Sequence, residues 1–148
     1  MILNEKKGNL FELDNNKYSY AHCISLDCEM GMGIAKEFNA RFSGMKTWLR
    51  REIKVYDWNF PKTIPCFKNG KLRVFNLITK EKYWKKPTYS TIEKCITEMA
   101  EQCARHNIKY LAMPKIGCGL DRLSWPKVRE IIKEEFKNLD IEIEVRYL

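Results

Sequence analysis

Two glycine-punctuated loops, about ninety residues apart, hold the residues best suited to chemistry. The first reads His22-Cys23-Ile24-Ser25-Leu26-Asp27-Cys28-Glu29-Met30-Gly31-Met32-Gly33-Ile34-Ala35. The second reads Met113-Pro114-Lys115-Ile116-Gly117-Cys118-Gly119-Leu120-Asp121-Arg122-Leu123-Ser124-Trp125. Glycine opens φ > 0 and lets backbone N–H groups come close to an anion. A strand-to-helix turn adds the positive end of the helix dipole. A single loop of this kind also fits an ordinary tight turn. The pair is suited to one phosphate-containing ligand, such as a diphosphate, laid across the C-terminal ends of neighbouring strands.

The elements that must position these loops follow from the apolar pattern. Ile2–Glu5 and Tyr18–Ser25 read as strands, the second preceded by the turn-forming Asp14-Asn15-Asn16. From Gly33 to Leu49 apolar residues recur at near-helical spacing, with Ser43-Gly44 as a break between two helices. Thr63–Lys68 and Lys71–Ile78 flank Asn69-Gly70, a strong hairpin signal that predicts an antiparallel pair and delivers Thr79-Lys80 at the strand end. Ser90-Thr91-Ile92-Glu93 fits a capping box opening a helix to His106. Ile108–Met113 reads as a strand. Ser124 then caps a helix with Pro126 in its first turn, running to Leu139, and Ile141–Leu148 is a last strand. The expectation is a single α/β domain spanning residues 1–148, a mixed sheet between helical layers.

Composition narrows the possibilities. The chain has 148 residues, 45% of them hydrophobic and 31% charged, which is enough for a core without metal or disulfide staples. No uncharged apolar run approaches the ~18 residues of a membrane span, and Met1–Lys7 has no signal-peptide core. A cytoplasmic protein is expected, and nothing requires more than a monomer. The six cysteines form no C-x-x-C, and His22 and His106 stand far apart, so no metal site is expected and reduced thiols are the default. The +8 net charge favours anionic ligands. The concentration at Lys80, Lys82, Lys85 and Lys86 fits either such a ligand or a solvated loop.

Four blocks then fall in register with a known family. Ala21–Ala35, Leu77-Ile78-Thr79-Lys80, Lys86-Pro87-Thr88-Tyr89 and Met113–Leu123 closely resemble the macrodomain family, in the branch of terminal ADP-ribose protein glycohydrolase. The resemblance covers nearly the whole chain. It implies a three-layer α/β/α fold with a cleft for ADP-ribose at the strand C-termini. It also implies removal of ADP-ribose from acidic protein side chains, from O-acetyl-ADP-ribose or from DNA bases, with no cofactor. By resemblance, Lys80 is the catalytic nucleophile toward the anomeric carbon of the distal ribose, and Asp121 assists release of the transient adduct. Residue type alone leaves Asp121 equally suited to a local Asx turn. Gly117, Cys118, Gly119 and Leu120, with Gly33 and Ile34, would give backbone N–H groups to the phosphates. Ser25, Asp27 and Gly31 would line the distal ribose, and Asn9 with Leu10 the adenine. The family usually carries Asp where Asn9 stands, so the adenine amino group would meet an uncharged acceptor.

Two other functions compete. A reader domain would bind ADP-ribose without needing Lys80 and Asp121 together. A nucleic-acid-binding module would use the positive charge and the aromatics Trp48, Trp58, Phe60, Tyr83 and Trp84, most of which fit core or loop lining better.

Overall fold

The computed structural model describes residues 1–148. Six strands form one sheet: β1 (Ile2–Lys7), β2 (Ser19–Ser25), β3 (Lys62–Lys68), β4 (Lys71–Lys80), β5 (Tyr110–Met113) and β6 (Glu142–Tyr147). Their spatial order is β1-β6-β5-β2-β4-β3. All neighbours pair in parallel except β3 and β4. The expected hairpin supplies that antiparallel pair. Asn69 and Gly70 both take positive φ, 54° and 78°, and Lys68 faces Lys71 across the turn. Parallel neighbours bring the C-terminal ends of β1, β6, β5, β2 and β4 to one edge of the sheet, where the loops gather.

Helices α1 (Gly33–Arg41) and α2 (Met45–Tyr56) cover one face; α3 (Tyr89–Arg105) and α4 (Trp125–Phe136) cover the other. Strand alternation feeds both layers. Val74 and Ile78 of β4 join Tyr20, Phe38 and Leu49 beneath α1 and α2, while Phe75 and Leu77 join Ile92, Met99, Val128 and Ile132 beneath α3 and α4. The expected α/β/α sandwich with a mixed sheet is the observed architecture. No helix is long and apolar enough to cross a membrane.

Several boundaries differ from the sequence reading. Strand β1 runs on to Lys7 because it lies at the sheet edge, exposed along most of its length, so no alternation marks its end. The break at Ser43-Gly44 is present, with Gly44 at φ 85°, but α2 continues past Leu49 to Tyr56. Helix α3 opens two residues earlier than expected. Its cap is Thr88, whose hydroxyl accepts from Thr91 N–H at 3.1 Å, while Thr91 Oγ1 accepts from Thr88 N–H at 3.0 Å. Ser124 stands at the start of α4 but makes no side-chain cap, and the helix ends at Phe136 rather than Leu139.

Candidate active site

Lys80 is the last residue of β4 and Asp121 lies in the β5–α4 loop. Their side chains meet, Lys80 Nζ donating to Asp121 Oδ1 at 2.5 Å, with only 12% and 13% of the two side chains exposed. A bulge between Ile24 and Ser25 sets Ser25 opposite Lys80, and Leu26 N–H donates to the Lys80 carbonyl at 2.9 Å. The β2–α1 loop is therefore fastened directly to the strand end that carries the lysine.

The same two loops touch each other. A Cβ built on Gly33 would stand 3.2 Å from Leu120 Cδ1. Glycine's backbone freedom is used at one glycine per loop: Gly33 has φ 60° and Gly117 φ 73°, while Gly31 and Gly119 lie outside the left-handed region. The first loop instead turns at Cys28 and Met30, φ 53° and 48°, whose side chains are buried under α1 and α2. Gly117 is packed as well as twisted, since a Cβ there would lie 2.7 Å from Ile92 Cδ1. Gly119 meets nothing within 4 Å.

The donors available to an anion can be counted from these bonds. The first-turn amides of α1, at Gly33, Ile34 and Ala35, have no intrahelical partner, and Met32 supplies no side-chain cap. In the second loop Cys118 N–H is already committed to the Lys115 carbonyl at 3.1 Å, unlike those of Gly117, Gly119 and Leu120. Cys118 therefore differs from its expected place among the amide donors. Its thiol is pushed up to about 11 by burial and the nearby Asp121 charge, against the lowering effect of Lys115, and stays protonated.

The remaining expected residues take varied positions. Ser25 is buried and its hydroxyl donates to Asp27 Oδ1. The other Asp27 oxygen accepts Tyr83 N–H at 3.1 Å, and the Asp27 carbonyl accepts Arg50 Nη2 at 3.4 Å. Asp27 is thus first an organiser of two loops. Gly31 and Ile34 lie on the open side of the first loop. Asn9 follows β1 at the same sheet edge, and its Oδ1 caps a short 3₁₀ turn by accepting Phe11 N–H at 3.0 Å. Leu10 is a core residue, 4% exposed, so only its backbone can reach a ligand.

Sequence reasoning missed the ties that hold the rim. Besides Tyr83 to Asp27, Lys86 Nζ donates to the Leu120 carbonyl at 2.6 Å, joining the β4–α3 loop to the second glycine loop. Across the sheet edge, Glu5 accepts Trp125 Nε1–H at 2.8 Å and pairs with Arg129 at 3.2 Å. Burial raises the Glu5 pKa, but the Trp125 hydrogen bond and Arg129 outweigh it and hold the carboxyl below its ordinary value.

Free amides on two touching loops, beside a lysine–carboxylate pair, suit an anionic ligand carrying an electrophilic carbon. The Macro domain family model matches residues 24–132, and the chain belongs to the macrodomain family. It is 39% identical over 139 residues to the ADP-ribose glycohydrolase OARD1 of Homo sapiens, covering 94% of this chain and 87% of that protein. Among solved structures, the macrodomain of Mycobacterium tuberculosis DarG superposes with a TM-score of 0.88 over 99% of this chain and 98% of that one, at 20% identity. The macrodomain of Thermus aquaticus DarG does so with a TM-score of 0.86 over 99% of each chain, at 19% identity.

Proposed function

We propose that this protein is an ADP-ribosyl hydrolase, releasing ADP-ribose from modified macromolecules or from O-acetyl-ADP-ribose through Lys80. The observation that carries the reading is the 2.5 Å contact of Lys80 with Asp121, set where the two glycine loops meet. The 39% identity to an ADP-ribose glycohydrolase supports it. The diphosphate would lie against the free amides of Gly33, Ile34, Gly117, Gly119 and Leu120, with the distal ribose toward Ser25 and Gly31 and the adenine toward Asn9.

An ordinary lysine is protonated at neutral pH and is no nucleophile. Passing its proton along the hydrogen bond to Asp121 frees the amine. Its lone pair then attacks the anomeric carbon of the distal ribose. The nitrogen–carbon bond forms as the carbon–oxygen or carbon–nitrogen bond to the leaving group breaks, and the bonding pair departs with that group. Asp121 hands the proton it took from Lys80 to that departing group and is a carboxylate again. Water then adds at the same carbon while Asp121 takes up its proton, the carbon–nitrogen bond breaks with its electron pair going to the lysine nitrogen, and Asp121 returns the proton to the freed amine. A partner positioned for proton transfer in this way contributes about 10²–10⁴-fold.

The test is Lys80→Ala. Release of ADP-ribose from an automodified acidic protein, followed by mass spectrometry, should fall to background, while affinity for free ADP-ribose stays within about threefold. Wild-type turnover in this variant removes lysine catalysis. Absence of turnover in the wild type, with ADP-ribose still bound, favours a reader.

A further inference from the structure

The strand order fixes how far a ligand must reach along the sheet edge. Lys80 ends β4, the two glycine loops leave β2 and β5 beside it, and Asn9 follows β1 beyond β6. Four inter-strand steps (β4–β2, β2–β5, β5–β6, β6–β1) separate the lysine's strand from β1, about 19 Å at ordinary strand spacing. A nucleoside diphosphate ribose with its anomeric carbon at Lys80 and its diphosphate on the glycine loops would end, at its base, beside Asn9.

Asn9 is exposed, and the two ends of its side-chain amide are not equivalent. Oδ1 accepts Phe11 N–H at 3.0 Å, and only an oxygen can accept there, so this bond orients the amide. Nδ2 is left with both of its hydrogens unpartnered in the protein. A carboxylate at the same place would hold the turn with one oxygen and present the other. That second oxygen would accept from an amino group and repel a carbonyl. Asn9 presents N–H donors instead, and Oδ1 keeps one lone pair.

We infer that Asn9 relaxes the base selectivity of this cleft, so that it takes a 6-oxopurine such as hypoxanthine as readily as adenine. The inference rests on the proposed reading of the cleft as a site for a nucleoside diphosphate ribose. Nδ2 donates to the O6 carbonyl of a 6-oxopurine, while the remaining lone pair of Oδ1 accepts from the N6 amino group of adenine. One amide serves both bases. A carboxylate serves only the second.

The experiment is calorimetric titration of ADP-ribose and of its hypoxanthine analogue, which keeps the diphosphate ribose and carries a carbonyl for the 6-amino group. Wild-type protein should bind the two within about fivefold of each other. Asn9→Asp retains an oxygen for Phe11 N–H, so its thermal unfolding midpoint should match the wild type. It should nevertheless shift the ratio of the two affinities toward ADP-ribose by about tenfold or more, as a hydrogen bond to O6 becomes a repulsion. Base tolerance is overturned, with the cleft reading intact, if the wild type binds ADP-ribose and prefers it by more than about fivefold. An unchanged affinity ratio in Asn9→Asp overturns it too. A wild type that binds neither ligand at millimolar concentration overturns the cleft reading, and the base subsite with it.

Discussion

At the scale of single residues, the two loops separate glycines that look alike in sequence. Gly117 combines φ 73° with a Cβ position 2.7 Å from Ile92, so it is required by the fold itself. Gly117→Ala should cost about 1–3 kcal/mol through backbone strain and overpacking, measured by urea denaturation. Gly119 meets no atom within 4 Å and lies outside the left-handed region, so Gly119→Ala should leave stability unchanged. What Gly119 offers is open space beside free amides. Gly119→Glu should therefore keep the wild-type unfolding midpoint yet abolish ADP-ribose binding, because a carboxylate would sit where the phosphate is expected. Retained binding in that variant would move the diphosphate away from this loop. At Cys118 the committed amide and protonated thiol make Cys118→Ser an expected silent change for both binding and stability.

At the scale of elements, the caps show which local signals decide. Ser90-x-x-Glu93 matches the capping-box pattern, yet the chain enters α3 at Thr88. Pro87 is buried and fixes its own φ, so the helix begins as soon as the chain leaves it. Thr88→Ala should lower stability by about 1 kcal/mol, whereas Ser90→Ala should leave it nearly unchanged; the reverse order in chemical denaturation would restore the sequence reading. Elements with a strong local cause were legible from sequence: the Asn69-Gly70 hairpin, the Gly44 break and the periodic faces of α3 and α4. The end of the edge strand β1 at Lys7 was not, because exposure along its length removes the alternation that would mark where it stops. The two glycine-punctuated turns were visible in the sequence, and so was Lys80 as a strand-end residue. The tethers from Asp27 to Tyr83 and from Lys86 to Leu120 bridge 56 and 34 residues, and no local pattern announces such contacts.

At the scale of the whole molecule, the sheet that aims the loops encloses a histidine with no route to water. Parallel register sets His22 of β2 opposite Asn76 of β4, and its ring stacks on Phe38 of α1 with centroids 4.0 Å apart. Asn76 Nδ2 donates to the Ile64 carbonyl, which leaves Asn76 Oδ1 to accept from His22 Nε2–H at 2.6 Å. The ring is thereby fixed as the neutral tautomer protonated at Nε2, and Nδ1 is buried without a partner. Burial lowers its pKa from 6.5 to about 4, against the smaller raising effect of Asn76. In the unfolded chain the same imidazole titrates near its ordinary value. Between those two values the unfolded state binds more protons than the folded one, so stability falls as pH drops through the window. The full effect is on the order of 3 kcal/mol, and most of it should be felt between pH 6.5 and 4.5. The urea midpoint should therefore drop steadily over that range, and the His22 ring protons should show no titration by NMR above pH 5, unlike a solvent-exposed imidazole. A flat stability profile, or a His22 resonance titrating near 6.5, would mean that water reaches the core between β2 and α1.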